Sequence, residues 1–196
     1  MKKLLLSLAL ISCSAGVQAE FPVGKIGINL APKVDVDIPG ASGDGNGFGF
    51  YGDVGGDMFF VYVDYQASNL EINSTDLDLK ETRFGGGIRN TSDKASLLVR
   101  VENYKQELDA PGSNFEDSGI GVHVGGDYAF TDSVGMFGDI GLLSLDESDG
   151  TEFRLGVRGK LTDMSEVYGA YRNLQLDDSG DELELSDIRL GVNVLF

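Results

Sequence analysis

The chain has 196 residues, 15 of them basic and 32 acidic, for a net charge of −17, and such a charge argues against nucleic acid as a partner. It contains no tryptophan and 28 glycines, and past residue 20 no apolar run approaches the roughly 20 residues that a membrane helix needs. A helical membrane protein is therefore excluded, whereas strands crossing a bilayer need only about ten residues of alternating polarity.

The chain begins with the basic Met1-Lys2-Lys3, an apolar stretch over 4–11, and small residues in Val17-Gln18-Ala19 ahead of Glu20. This reads as an export signal over 1–19, removed after Ala19, with residues 20–196 forming the mature domain. Leu10-Ile11-Ser12-Cys13 also fits a lipoprotein box, the alternative in which Cys13 becomes the lipidated first residue. Cleavage after Ala19 leaves no cysteine and so no disulfide, and it takes the net charge to −19 with 13 basic residues.

Period-two alternation then predicts ten strands, at 24–38, 48–54, 58–70, 79–90, 95–107, 119–130, 135–145, 152–162, 166–176 and 184–196. Short turns at 55–57, 91–94, 131–134 and 162–165 alternate with longer loops at 39–47, 73–78, 109–118, 146–151 and 177–183. Short periplasmic turns and longer outer loops are the pattern of an antiparallel up-and-down transmembrane barrel, with eight strands as the alternative to ten. A weak repeat supports the hairpins. Phe130-Thr131-Asp132 with Phe137-Gly138 recurs as Leu161-Thr162-Asp163 with Tyr168-Gly169, which places Met136, Gly138, Ile140, Val167, Gly169 and Tyr171 toward lipid and Arg172 inward.

Uncharged outward faces follow on the other strands, among them Ile26, Ile28, Leu30, Val34 and Val36 on the first. Phe59, Tyr128, Phe130, Phe137, Tyr168 and Phe196 are expected to form an interfacial girdle. A secreted β-sandwich would alternate too, but the chain's ending speaks for a barrel. Ile188, Leu190, Val192, Val194 and Phe196 share one face, with Arg189, Gly191 and Asn193 on the other. This ending resembles the closing strand of bacterial outer-membrane β-barrels, in which the terminal aromatic and the alternating apolar residues form the insertion signal. The whole mature chain resembles the small porin-like barrels of Gram-negative bacteria, and its size and layout are similar to those of the YfaZ-type porins. The resemblance implies an integral outer-membrane protein, with outer-membrane lipid and the barrel-assembly machinery as partners. A monomer is expected.

Inward positions carry Lys25, Lys33, Arg83, Arg89, Arg100, Arg154, Arg158, Lys160, Arg172 and Arg189, against Asp35, Asp37, Asp53, Asp64, Glu81, Glu102, Asp127 and Asp139. Glu81 and Arg83 should pair with Arg100 and Glu102 across adjacent strands. Arg154, Arg158, Arg172 and Arg189 have only Asp139 as an obvious acid nearby, which predicts an uncompensated positive zone and a wetted, anion-preferring path. The five outer loops hold thirteen acids, from Asp44 to Glu182, and no base, a negative rim that divalent cations could bridge to lipopolysaccharide phosphates. Asp146-Glu147-Ser148-Asp149-Gly150 and the run 177–182 lack EF-hand spacing. His123, with Asp127 two inward positions along, lacks a convincing serine, so no catalytic residues are assigned. No metal site and no cofactor are implied. The reading taken is a narrow conduit for ions or very small solutes, and the alternative is a closed barrel with a structural or cell-surface role.

Overall fold

The computed structural model describes residues 24–56, 58–178 and 181–196. The expected leader over 1–19, the alternative at Cys13, and positions 57, 179 and 180 of two expected connections lie outside them. The described residues form ten strands: β1 (Gly24–Ile38), β2 (Ala41–Gly55), β3 (Phe59–Ile72), β4 (Thr75–Thr91), β5 (Ala95–Ala110), β6 (Ser113–Ala129), β7 (Val134–Leu145), β8 (Asp149–Thr162), β9 (Ser165–Asp178) and β10 (Asp181–Leu195). Each pairs antiparallel with its sequence neighbours, and β1 pairs with β10 to close the sheet. The barrel has ten strands, not eight. Gly24 and Phe196 exchange backbone hydrogen bonds of 2.8 and 3.0 Å at the end of the closing seam. Closure satisfies the backbone in hydrocarbon and leaves no strand edge unpaired.

The outer connections are tighter than the composition suggested. Pro39-Gly40 and Pro111-Gly112 turn the chain in two residues, with both glycines at the positive φ (83° and 91°) that the position after proline requires. Asn73 and Ser74 both adopt positive φ, as a two-residue hairpin turn demands. The expected loops 39–47, 73–78 and 109–118 are therefore mostly strand, and Asp44, Asp76, Asp78, Asp109 and Glu116 stand on strand extensions. At the opposite end the repeated hairpins share one device. The Thr131 hydroxyl accepts the amides of Ser133 and Val134, and the Thr162 hydroxyl accepts that of Met164.

One face assignment is inverted. The β1 register against both neighbours shifts between Leu30 and Lys33, because Pro32 has no amide to give to the ladder and the strand bulges there. Past the bulge Val34 and Val36 are buried inside, while Lys33, Asp35 and Asp37 face outward. The expected lipid-facing valines and the expected inward Lys33, Asp35 and Asp37 are thus exchanged. In the girdle, Phe137 and Tyr168 also point inward and meet edge to face at 6.1 Å. Phe59, Tyr128, Phe130 and Phe196 stand exposed on the outer surface as expected.

The barrel changes polarity along its axis. Through the apolar band the outer surface carries exposed Ile28, Phe84, Leu97, Val124, Ile140, Val157 and Val194, and the inside is charged. Beyond the band, toward the turns at Pro39 and Pro111, the outer face becomes Lys33, Asp35, Glu71, Asp76, Lys80, Lys105 and Glu107. The inside there becomes a packed apolar core of Val34, Val36, Leu70, Ile72, Leu79, Tyr104, Leu143, Leu174, Leu176 and Leu185. The strands thus outlast the membrane as a small water-facing barrel, filled as soluble interiors are. On β2 the inner positions at this end are Gly43, Gly45 and Gly47, and a methyl group at Gly45 would lie 1.9 Å from the Asn69 carbonyl oxygen.

Candidate functional site

The lumen at membrane depth is where buried charged side chains converge. Arg83 of β4 donates to Glu152 of β8 at 2.5 and 3.0 Å and to Glu102 of β5 at 3.2 Å. Arg172 of β9 grips both oxygens of Glu81 at 2.7 and 2.6 Å and donates through Nε to Asp187 at 2.7 Å. Arg189 of β10 binds Asp187 at 2.9 Å and reaches Asp64 of β3 at 3.3 Å. Arg100 donates to Glu102 at 2.6 Å, and the Tyr104 hydroxyl donates to Glu81 at 2.8 Å. Three of these links, Arg83–Glu152, Arg172–Glu81 and Arg189–Asp64, run between strands that are not neighbours, so they brace the barrel across its axis. Arg172 is 1 % exposed. Charges so deep persist only where paired and hydrogen-bonded.

All nine residues expected to form the lumen network lie inside, and two details differ from expectation. Arg83 meets Glu102 as expected, but Glu81 turns to Arg172 across the lumen instead of to Arg100. The uncompensated positive zone does not exist. Arg154 pairs with Asp139 at 2.6 Å, Arg158 with Glu166 and Asp127 at 3.3 Å each, and Arg172 and Arg189 share Asp187. The acids that neutralise the zone, Glu152, Glu166 and Asp187, were missing from the expected set. The signal for two of them was present, since Glu152 and Asp187 each precede an inward arginine by two residues.

His123 is fully buried, and its partners are Glu102 at 3.1 Å and Asp139 at 3.2 Å instead of the expected Asp127. Potential ligand atoms of His123, Asp139 and Glu152 lie within 4.8 Å of one another. Their carboxylates already face Arg83 and Arg154, whose charges would oppose a metal cation there. At the outer end, Asp117 points inward and is buried, holding the β7–β8 connection through the Glu147 amide at 3.1 Å and the Ser148 hydroxyl at 2.8 Å. The rim is not free of bases. Lys33, Lys80 and Lys105 stand outward in the collar, paired with Asp35, with Asp109, and with Glu107 and Glu116. The residues expected to form the insertion signal, Ile188, Leu190, Val192 and Val194 on β10 and Phe196 just past its end, are all exposed on the outer surface.

No protein-family model and no curated protein matches the chain. Among solved structures, the chain is similar to Neisserial surface protein A (NspA), with 15 % identity and a TM-score of 0.54 over 88 % of this chain and 97 % of that one. It is also similar to the outer-membrane protease OmpT from Escherichia coli, with 9 % identity and a TM-score of 0.55 over 88 % and 96 % of the two chains. At such identities the likeness is one of fold, and the fold of this chain is that of the outer-membrane β-barrels.

Proposed function

We propose that the chain is an integral outer-membrane barrel whose lumen is closed to solutes, the second of the two roles considered from the sequence. One observation carries this reading: the apolar core from Val34 to Leu185 fills the outer end of the barrel directly above a layer of paired charges. Ions passing a narrow lumen need a hydrated or coordinating path, and a packed, largely apolar plug supplies neither. The conduit reading drew on an excess of lumen arginine, and with Glu152, Glu166 and Asp187 in place that excess is gone.

The working surface is then the outside. The charged collar stands just above the apolar band, at the level of lipopolysaccharide phosphates, which suits a structural or surface-interaction role with lipid and divalent cations as partners. Catalysis is not part of this reading, because the buried His123–Asp139 contact cannot reach a macromolecular substrate. The likeness to YfaZ-type porins adds only size and layout.

The test is electrical. Purified protein reconstituted in planar bilayers should give no stable conductance steps under applied voltage, and liposomes containing it should not swell in small solutes. Reproducible steps whose reversal potential under a salt gradient moves in R158E/R172E would restore the conduit.

A further inference from the structure

The outer end of the apolar core is open to water. At the outermost inward positions Phe115 is 43 % exposed and Ile38 36 %, and Leu77, Leu108, Leu145 and Leu183 pack on the core while only partly buried. Phe115 stands opposite Leu108 on the β5–β6 hairpin. That hairpin rises past its neighbour: β7 pairs with β6 only from Gly119, opposite Leu145, and the chain leaves the ladder there with the Asp146 amide bonded to the Ser118 carbonyl. The inner face at Phe115 therefore continues the core beyond the wall that β7 provides. Apolar surface of this kind, framed by polar groups, marks an interaction site.

The frame has one sign. Residues 106–153 and 173–188, which include the β5–β6, β7–β8 and β9–β10 connections, contain no lysine or arginine. Glu147 and Asp149 beside the Phe115 hairpin, and Asp181 and Glu182 on the next one, are exposed. Among the described residues none of these four forms an ion pair with a base, because the collar's Lys33, Lys80 and Lys105 stand on β1, β4 and β5 and are held by other carboxylates. A rim so charged gathers cations and repels anions.

The two features together select the occupant. A lipid phosphate is repelled by the rim, a second copy of the chain brings the same acids, and a neutral apolar guest leaves the rim without a counter-charge. We propose that the outer mouth docks a cationic amphipathic peptide segment of another protein, which seats an apolar side chain against Phe115, Leu108 and Leu145 while its flanking lysines or arginines meet Glu147 and Asp149. This deepens the surface role proposed above and rests on the plug that closes the barrel beneath the mouth. Complementary charge steers such a partner, and the buried apolar anchor holds it.

The full protein folded into uncharged phosphatidylcholine vesicles would be titrated with a fluorescein-labelled decapeptide alternating lysine with leucine, with protein-free vesicles as the blank. Saturable binding is expected, read by fluorescence anisotropy and weakened when salt is raised to about 0.5 M. It should be about tenfold weaker in Phe115→Ser and in the double variant Glu147→Lys/Asp149→Lys. These are exposed positions, and heat-modified migration confirms that each variant is folded. Equal binding of a lysine–serine decapeptide would mean attraction by charge alone, and equal binding of a glutamate–leucine decapeptide would mean an unselective apolar surface. A doubled particle mass that Phe115→Ser abolishes would make the mouth a contact between copies. Each of these results overturns the proposal, as does absence of saturation or full binding in both variants. Conductance is read separately: channel steps refute closure, whereas a silent barrel that binds no peptide refutes the docking alone.

Discussion

Replacing Arg172 with methionine tests whether the lumen is a braced network or a loose collection of charges. The guanidinium holds both oxygens of Glu81 and one of Asp187, with Glu152 3.8 Å away. Its loss leaves Glu81 with the Tyr104 hydroxyl and an arginine 3.5 Å away, and leaves Asp187 with Arg189 alone. Removing one partner of a buried pair costs about 3–5 kcal/mol, chiefly through the charge left behind. Arg172→Met should therefore lower unfolding stability by about that much, because Glu81 loses its strongest partner and keeps only weaker ones. Glu81→Gln in the same background removes that stranded charge, so the double variant should recover about 0.5–3 kcal/mol relative to the sum of the singles, the range seen for coupled neighbours. Urea unfolding of the protein in lipid vesicles, read as loss of the compact unheated band in electrophoresis, measures both. A single substitution costing under about 1 kcal/mol, or strictly additive singles, would refute the cross-lumen bracing.

Two further outcomes check the inverted face and the seam. Val34→Asp places an unpaired carboxylate in the outer apolar core, where Val34 is 1 % exposed, and should destabilise by about 3 kcal/mol or more. Lys33→Leu removes only an exposed pair and should stay within about 0.5 kcal/mol; the reverse ranking in the same urea assay would mean that β1 does not bulge. Phe196→Ala keeps the two backbone bonds to Gly24 but loses the exposed ring, whereas deletion of Phe196 loses both, so the assembled, heat-modifiable band in outer-membrane fractions should fall in both variants and further in the deletion. Equal, undiminished bands would remove the terminal aromatic as an insertion signal.

The fold was legible because membrane strands carry their phase in plain alternation, and a period of two fixes both faces once one residue is placed. The reading failed where something local altered that phase or length. Pro32 inserts an extra residue and flips Val34 and Val36 to the inside. Three of the five outer loops looked long because the acids of the collar resemble loop composition, although in two of them Pro39-Gly40 and Pro111-Gly112 already marked two-residue turns. The acids flanking the arginines followed the same alternation, but only the barrel's closure and stagger bring Arg83 to Glu152, 69 positions away, or Arg172 to Glu81, 91 positions away. Adjacent-strand pairing is written in the sequence; pairing across a lumen depends on how the whole sheet rolls. That difference decided the functional reading. Counted strand by strand, the arginines of β8 to β10 looked like an open, positive path, and folded, each is held by a carboxylate beneath an apolar plug.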